Sequence, residues 1–180
     1  ALVIAPASVG PNWVAEAARF APGLRVVMLA DTLRRSGMDL SEVAAGADII
    51  VTSYTLFRLD YDAHAEQVWS GLILDEAQYV KNRQAKTHHC ARKLSTPFKL
   101  AITGTPMENN LMELWSLLAI TAPGLFPDAA SFADFYAKPI EKSGETELLQ
   151  LFRRRIKPLV KRRTKDLVAP ELPAKQDQIL

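Results

Sequence analysis

The chain has 180 residues, of which 48% are hydrophobic and 23% charged, with a net charge of +2, which suits a globular domain with a real core and excludes a disordered segment. No apolar stretch reaches the roughly 18 residues of a membrane span, and no basic region precedes the apolar opening ALVIAPASVG, so neither a membrane partner nor an export signal is expected. The single cysteine, Cys90, excludes an internal disulfide and fits a reducing, intracellular compartment.

In chain order, five short runs rich in β-branched residues are predicted as buried strands: Leu2 to Ala5, Arg25 to Leu29, Asp48 to Thr52, Leu72 to Asp75 and Lys99 to Thr103. Between them lie helical patterns: Trp13 to Phe20 after the breaker GPN, Ala85 to Leu94, and Asn110 to Ile120, where Leu111, Leu114, Trp115 and Leu118 share a face. Strands alternating with helices imply an α/β fold, a three-layer αβα sandwich around a mainly parallel sheet. His88 and His89 adjoin Cys90, but no second ligand cluster accompanies them, and no metal site is expected there.

After Pro123 the pattern changes. The stretch PGLFPDAASFADFYAKPIEKSGE holds three prolines and two glycines, and helical spacing then resumes with Leu148, Leu149, Phe152 and Ile156 on one side. This predicts a helical appendage, followed by a proline-bearing connector. Charge is unevenly placed: eight Lys and Arg residues lie between Arg153 and Lys165 without one acid, a polyanion-binding candidate whose plain alternative is a solvated helix face.

Parallel α/β sheets bind ligands at the carboxyl ends of their strands, where both Asp75-Glu76 and the TGTP turn, Thr103 to Pro106, fall. In nucleotide hydrolysis a strand-end aspartate holds magnesium, commonly through water, and a neighbouring carboxylate aligns and deprotonates the attacking water. Asp75 and Glu76 suit those two roles, although an Asp-Glu pair alone is weak evidence.

Four segments in collinear order carry a resemblance: LVIAPASVGPNW (2–13), DIIVTSYTLFR (48–58), LILDEAQYVKN (72–82) and KLAITGTPMENNLMELWSLL (99–118). They resemble motifs Ia, Ib, II and III of the Swi/Snf-type DNA-translocating ATPases, a branch of helicase superfamily two, and VKRRTKDLVAPELPAKQ (160–176) resembles the segment that closes their first RecA-like lobe. Gln78, where eukaryotic remodellers mostly have histidine, resembles the bacterial members. The resemblance implies ATP and Mg2+ as cofactors, with Glu76, Asp75 and Gln78 catalytic and Asp75 holding magnesium through water. It implies a nucleotide-sensing relay at Thr103, Gly104, Thr105, Glu108 and Asn109. For the double-stranded DNA backbone it implies contacts from Ser8, Asn12, Trp13, Thr52, Ser53, Tyr54, Lys81, Asn82, Arg162, Arg163 and Lys165. Gly104 also suits a tight turn, Ser8 and Asn12 a helix cap, and Trp13 and Tyr54 plain packing.

The glycine-rich phosphate loop of such ATPases has no counterpart, since the eight glycines form neither G-x-G nor G-K. The resemblance therefore implies an N-terminally truncated P-loop NTPase lobe at 1–125, a helical protrusion with the basic segment at 126–165, and a connector at 166–180 toward a second RecA-like lobe of the same polypeptide. Alone, such a piece is expected to be inactive. In the intact protein the expected function is ATP-driven translocation on duplex DNA, with DNA-bound proteins as further partners, in a bacterial cytoplasm (nucleoid) or a eukaryotic nucleus. The alternative is a non-catalytic DNA-binding or protein-docking module.

Overall fold

A computed structural model describes residues 1–104 and 110–163. Its five strands, β1 (Leu2–Ala5), β2 (Val26–Met28), β3 (Ile49–Ser53), β4 (Leu72–Leu74) and β5 (Lys99–Ala101), form one parallel sheet in the order β2-β3-β1-β4-β5. Each predicted run supplied a strand, and the parallel order follows from the helical crossovers between them.

Register sets which side chains share a face. Leu2, Ile50 and Leu72 pair across three strands, as do Ile4, Thr52 and Leu74. These face α4 (Tyr54–Leu59), α6 (Lys86–Lys93) and α7 (Leu111–Thr121), where Phe57, Ala91, Leu94, Leu117 and Ile120 complete a buried cluster. Val3 and Val51 point the other way, toward α1 (Gly10–Phe20), and are fully covered. Leu100 and Ile102, at the β5 edge, are 40% exposed.

Gly10 and Pro11 begin α1 instead of breaking the chain ahead of it. Proline is tolerated in the first turn because its missing N–H has no intrahelical partner there. A Cβ at Gly10 would lie 2.7 Å from the Met28 Cε, the end of a flexible side chain that would have to shift. Short helices α2 (Leu33–Ser36), α3 (Leu40–Gly46) and α5 (Tyr61–Glu66) complete this part, and the first two are capped by Thr32 and Asp39 side chains.

Helix α7 serves two cores, which is why it is buried almost continuously from Trp115 to Ile120. Leu117 and Ile120 meet the sheet, whereas the face predicted from Leu111, Leu114, Trp115 and Leu118 packs away from it. Those residues join Phe126 from the loop after α7 and Phe132, Tyr136, Phe152 and Ile156 from α8 (Ala129–Phe132), a π-helical turn at Ala133–Ala137 and α10 (Thr146–Ile156). The π turn runs directly into α9 (Lys138–Ser143) at Pro139, whose ring cannot continue regular i to i−4 bonding. Among the described residues no helix is long and apolar enough to cross a membrane.

Candidate active site

Since all five strands run the same way, their carboxyl ends share one edge of the sheet, and the segments 6–13, 53–58, 75–82 and 102–104 leave from it. Asp75 stands at the end of β4, its backbone N–H bonded to Ile4 O at 2.8 Å. Its Oδ1 accepts from the Glu76 N–H at 2.9 Å and its Oδ2 from the indole N–H of Trp13 at 2.8 Å. The Tyr54 hydroxyl donates to the Asp75 carbonyl at 2.7 Å.

Glu76 has φ 49° and ψ 52°, and among the described residues it is the only non-glycine with positive φ. That conformation costs a side-chain-bearing residue roughly 1–2 kcal/mol. It turns the chain sharply from β4 into a 3-10 turn at Ala77–Val80, anchored by Ala77 N–H on Ile102 O at 2.8 Å. The turn sets Gln78 between two partners. Its Nε2 donates to Glu76 Oε2 at 2.8 Å, and its Oε1 accepts from the Thr103 hydroxyl at 2.9 Å. A continuous chain of hydrogen bonds thus joins the end of β5 to the Glu76 carboxylate, and Glu76, Gln78 and Thr103 are all half-buried.

A family model for the SNF2-related domain matches residues 1–180. The chain belongs to this family. Relatives include the YwqA protein of Bacillus subtilis, named as an ATP-dependent helicase/translocase, 37% identical over 98% of this chain and 19% of its own length. The ISWI chromatin-remodeling complex ATPase CHR11 of Arabidopsis thaliana is 36% identical over 99% of this chain and 17% of its own. The chain thus spans about a fifth of these curated relatives. The Sulfolobus solfataricus SWI2/SNF2 ATPase core solved in complex with double-stranded DNA superposes with a TM-score of 0.80 at 36% identity, over 92% of this chain and 34% of that one. The mainly parallel sheet with flanking helices is therefore a RecA-like lobe of the SNF2 type.

Within this SNF2 lobe the structure gathers Asp75, Glu76, Gln78 and Thr103, together with Trp13 and Tyr54, but the predicted DNA-facing set divides. Ser8 and Asn12 are exposed at the start of α1, and Lys81, Asn82, Arg162 and Arg163 are exposed too. Lys81 pairs with Glu113 at 3.0 Å, and Asn82 Oδ1 accepts from the Gln84 N–H at 2.9 Å. Ser53 caps α4 by accepting from the Leu56 N–H at 3.2 Å. Thr52 is 2% exposed inside β3 and Tyr54 is 7% exposed, so neither side chain reaches a surface ligand. Burial, with the charges of Asp75 and Glu76 nearby, pushes the Tyr54 phenol well above its ordinary pKa, keeping the hydroxyl a donor. Trp13 turns its N–H inward, to Asp75, and not toward a phosphate. Thr105, Glu108, Asn109 and Lys165, with the connector at 166–180, lie outside the described residues.

Gly104 has no positive φ, and among the described residues no atom lies within 4 Å of where a Cβ would stand. Arg155, inside the basic run, is structural. It donates to the Tyr136 hydroxyl at 3.2 Å and the Leu125 carbonyl at 3.3 Å, with its guanidinium carbon 4.9 Å from the Phe126 ring centre. Arg155 is exposed like Arg153 and Arg154, and the periodicity of a charge run carries no signal of its contacts. His88, buried on α6, has Nδ1 2.9 Å from Val80 O and braces the end of the 3-10 turn.

Proposed function

We propose that this SNF2 lobe supplies the carboxylates for magnesium-dependent ATP hydrolysis in a protein that moves along duplex DNA. The observation that carries the reading is the hydrogen-bonded chain from Thr103 through Gln78 to Glu76, ending beside Asp75 at the carboxyl edge of the sheet.

The donor set fits magnesium. Asp75 is a hard oxygen ligand, and each carboxylate oxygen accepts one hydrogen bond, leaving lone-pair capacity for the ion or its water. A single protein carboxylate suffices, because magnesium keeps several waters and shares nucleotide phosphates. When bound, the ion neutralises charge on the transferring phosphoryl group. Glu76 orients and deprotonates the attacking water, and its αL backbone aims the carboxylate off the strand end. Gln78 holds one oxygen of that carboxylate, Oε2, through its amide N–H, so a displacement of Thr103 alters the position of the base. The relay couples the end of β5 to the chemistry.

Exposed Ser8, Asn12, Arg162 and Arg163 contribute contacts to DNA phosphates. Those contacts follow the backbone and not the bases, so little sequence preference is proposed. The Sulfolobus solfataricus ATPase core, solved in complex with double-stranded DNA, supports this choice of polymer. The 180-residue chain alone, holding no Gly-Lys-Thr phosphate loop, is proposed not to turn over ATP.

The test is Glu76→Gln in the intact protein, which preserves size and removes the base. The expected result is a kcat at saturating DNA reduced by on the order of 100-fold, about 2.7 kcal/mol of barrier, with equilibrium binding of a fluorescent nucleotide retained. Near-normal kcat would remove Glu76 from the chemistry.

A further inference from the structure

Trp13 stands outside the Thr103-Gln78-Glu76 chain, yet it makes a direct side-chain contact to Asp75. The other two tryptophans direct their N–H groups to backbone carbonyls, Trp69 to His64 O at 2.8 Å and Trp115 to Phe126 O at 2.9 Å, the usual way to satisfy a buried indole. Trp13 alone directs its N–H to a carboxylate, across 62 residues of sequence. A tryptophan needed only for packing has no reason to aim its one donor at that oxygen.

The contact completes a frame around Asp75. Its N–H is held by Ile4 O, its carbonyl by the Tyr54 hydroxyl, its Oδ1 by the Glu76 N–H and its Oδ2 by Trp13. The Tyr54 ring is itself fixed by stacking on Tyr79, with centroids 5.4 Å apart and planes 6° from parallel. Three of these four holds use backbone groups of Asp75 or its own neighbour's N–H, and none of those requires a particular side chain on α1. The indole is what pins the second carboxylate oxygen. It does so from a helix packed against β2 and β3, so the donor is carried by the body of the fold.

We infer that Trp13 is a positioning residue for Asp75, its indole N–H setting the rotation of the carboxylate toward hydrated magnesium. The inference rests on the proposed magnesium role of Asp75. A carboxylate held only through Oδ1 retains freedom about its side-chain torsions and meets the ion's shell in the right orientation only part of the time, which weakens the ion's hold without touching the water-activating base.

The experiment uses the intact protein and two replacements. Trp13→Phe keeps an aromatic ring and deletes the donor. Site-specific replacement of Trp13 by benzothienylalanine keeps the fused-ring shape and puts sulfur where the N–H was, so packing survives and only the hydrogen bond is lost. Binding of a fluorescent ADP is followed over a magnesium titration, without turnover, and Asp75→Asn is measured alongside. The expected result is a rise of about tenfold in the half-saturating magnesium concentration for both Trp13 replacements, the low end for loss of an outer-shell partner. Nucleotide binding without magnesium stays within twofold of wild type, and steady-state kcat is measured beside it. An unchanged half-saturation with benzothienylalanine, when Asp75→Asn shifts it, overturns the role of Trp13 and leaves that of Asp75 standing. If Asp75→Asn shifts nothing either, both fall. A loss of kcat at unchanged half-saturation overturns the inference as well, because Trp13 would then act elsewhere than on the ion.

Discussion

His64 gives a stability prediction whose size follows from its surroundings. It lies on α5 with 1% exposure, between Phe57 and Trp69, and neither ring nitrogen has a hydrogen-bond partner among the described residues. Burial pushes its pKa from 6.5 down to about 4, only partly offset by the charge of Asp60. The unfolded chain therefore binds a proton between pH 6.5 and about 4 that the folded chain refuses. Stability from this residue is fully present above pH 6.5, declines as pH falls through the window, and levels off below about pH 4. Each pH unit is worth about 1.4 kcal/mol, so the whole window is worth about 3 kcal/mol, a large share of an ordinary domain's stability. His64→Leu, close in volume and without nitrogens to satisfy, should change stability by less than about 1.5 kcal/mol at pH 7.5. At pH 4.5 it should be the more stable protein by about 2 kcal/mol. Urea unfolding at half-unit pH steps reads both, and subtracting the two curves cancels groups they share, such as His88. Parallel pH dependences for wild type and variant would refute the assignment of a buried, neutral His64.

The basic run should divide in two. Both arginines are exposed, but Arg155→Ala, which loses hydrogen bonds to Tyr136 and Leu125 and the contact with Phe126, should destabilise by about 1 kcal/mol, whereas Arg154→Ala stays within about 0.5 kcal/mol in the same urea titration. Equal effects would mean that these contacts of Arg155 contribute nothing to stability. For DNA, replacing Arg162 and Arg163 together with Ala should shallow the dependence of duplex affinity on salt by up to about two phosphate contacts, equally for unrelated sequences. Fluorescence anisotropy at several salt concentrations measures the slope, and an unchanged slope would place both arginines off the DNA.

Local sequence pattern was enough to read the parallel sheet and to put the acidic pair of the candidate site at its carboxyl edge. Runs such as LVIA and DIIVT are too short and too β-branched for helices, and hydrophobic periodicity is a property of a few neighbouring residues that needs no knowledge of the rest of the chain. The acidic pair behind LIL was legible for the same reason, since a strand end in a parallel sheet is a ligand edge whatever the order of strands. Helices α4 and α5, six residues each, are not legible in the sequence because so short a segment shows barely more than one turn of pattern and is held mainly by tertiary packing. The roles of individual side chains were decided only in three dimensions. Tyr54 and Thr52 lie in a segment that resembles a DNA-contacting motif but are buried, Arg155 is exposed like its neighbours yet lays its guanidinium over Phe126, and Trp13 turns its donor to a carboxylate 62 residues away. A hydrogen bond is made or missed within a few tenths of an ångström, and that distance is set by how α1 and α4 seat on the sheet, which no local window of sequence contains.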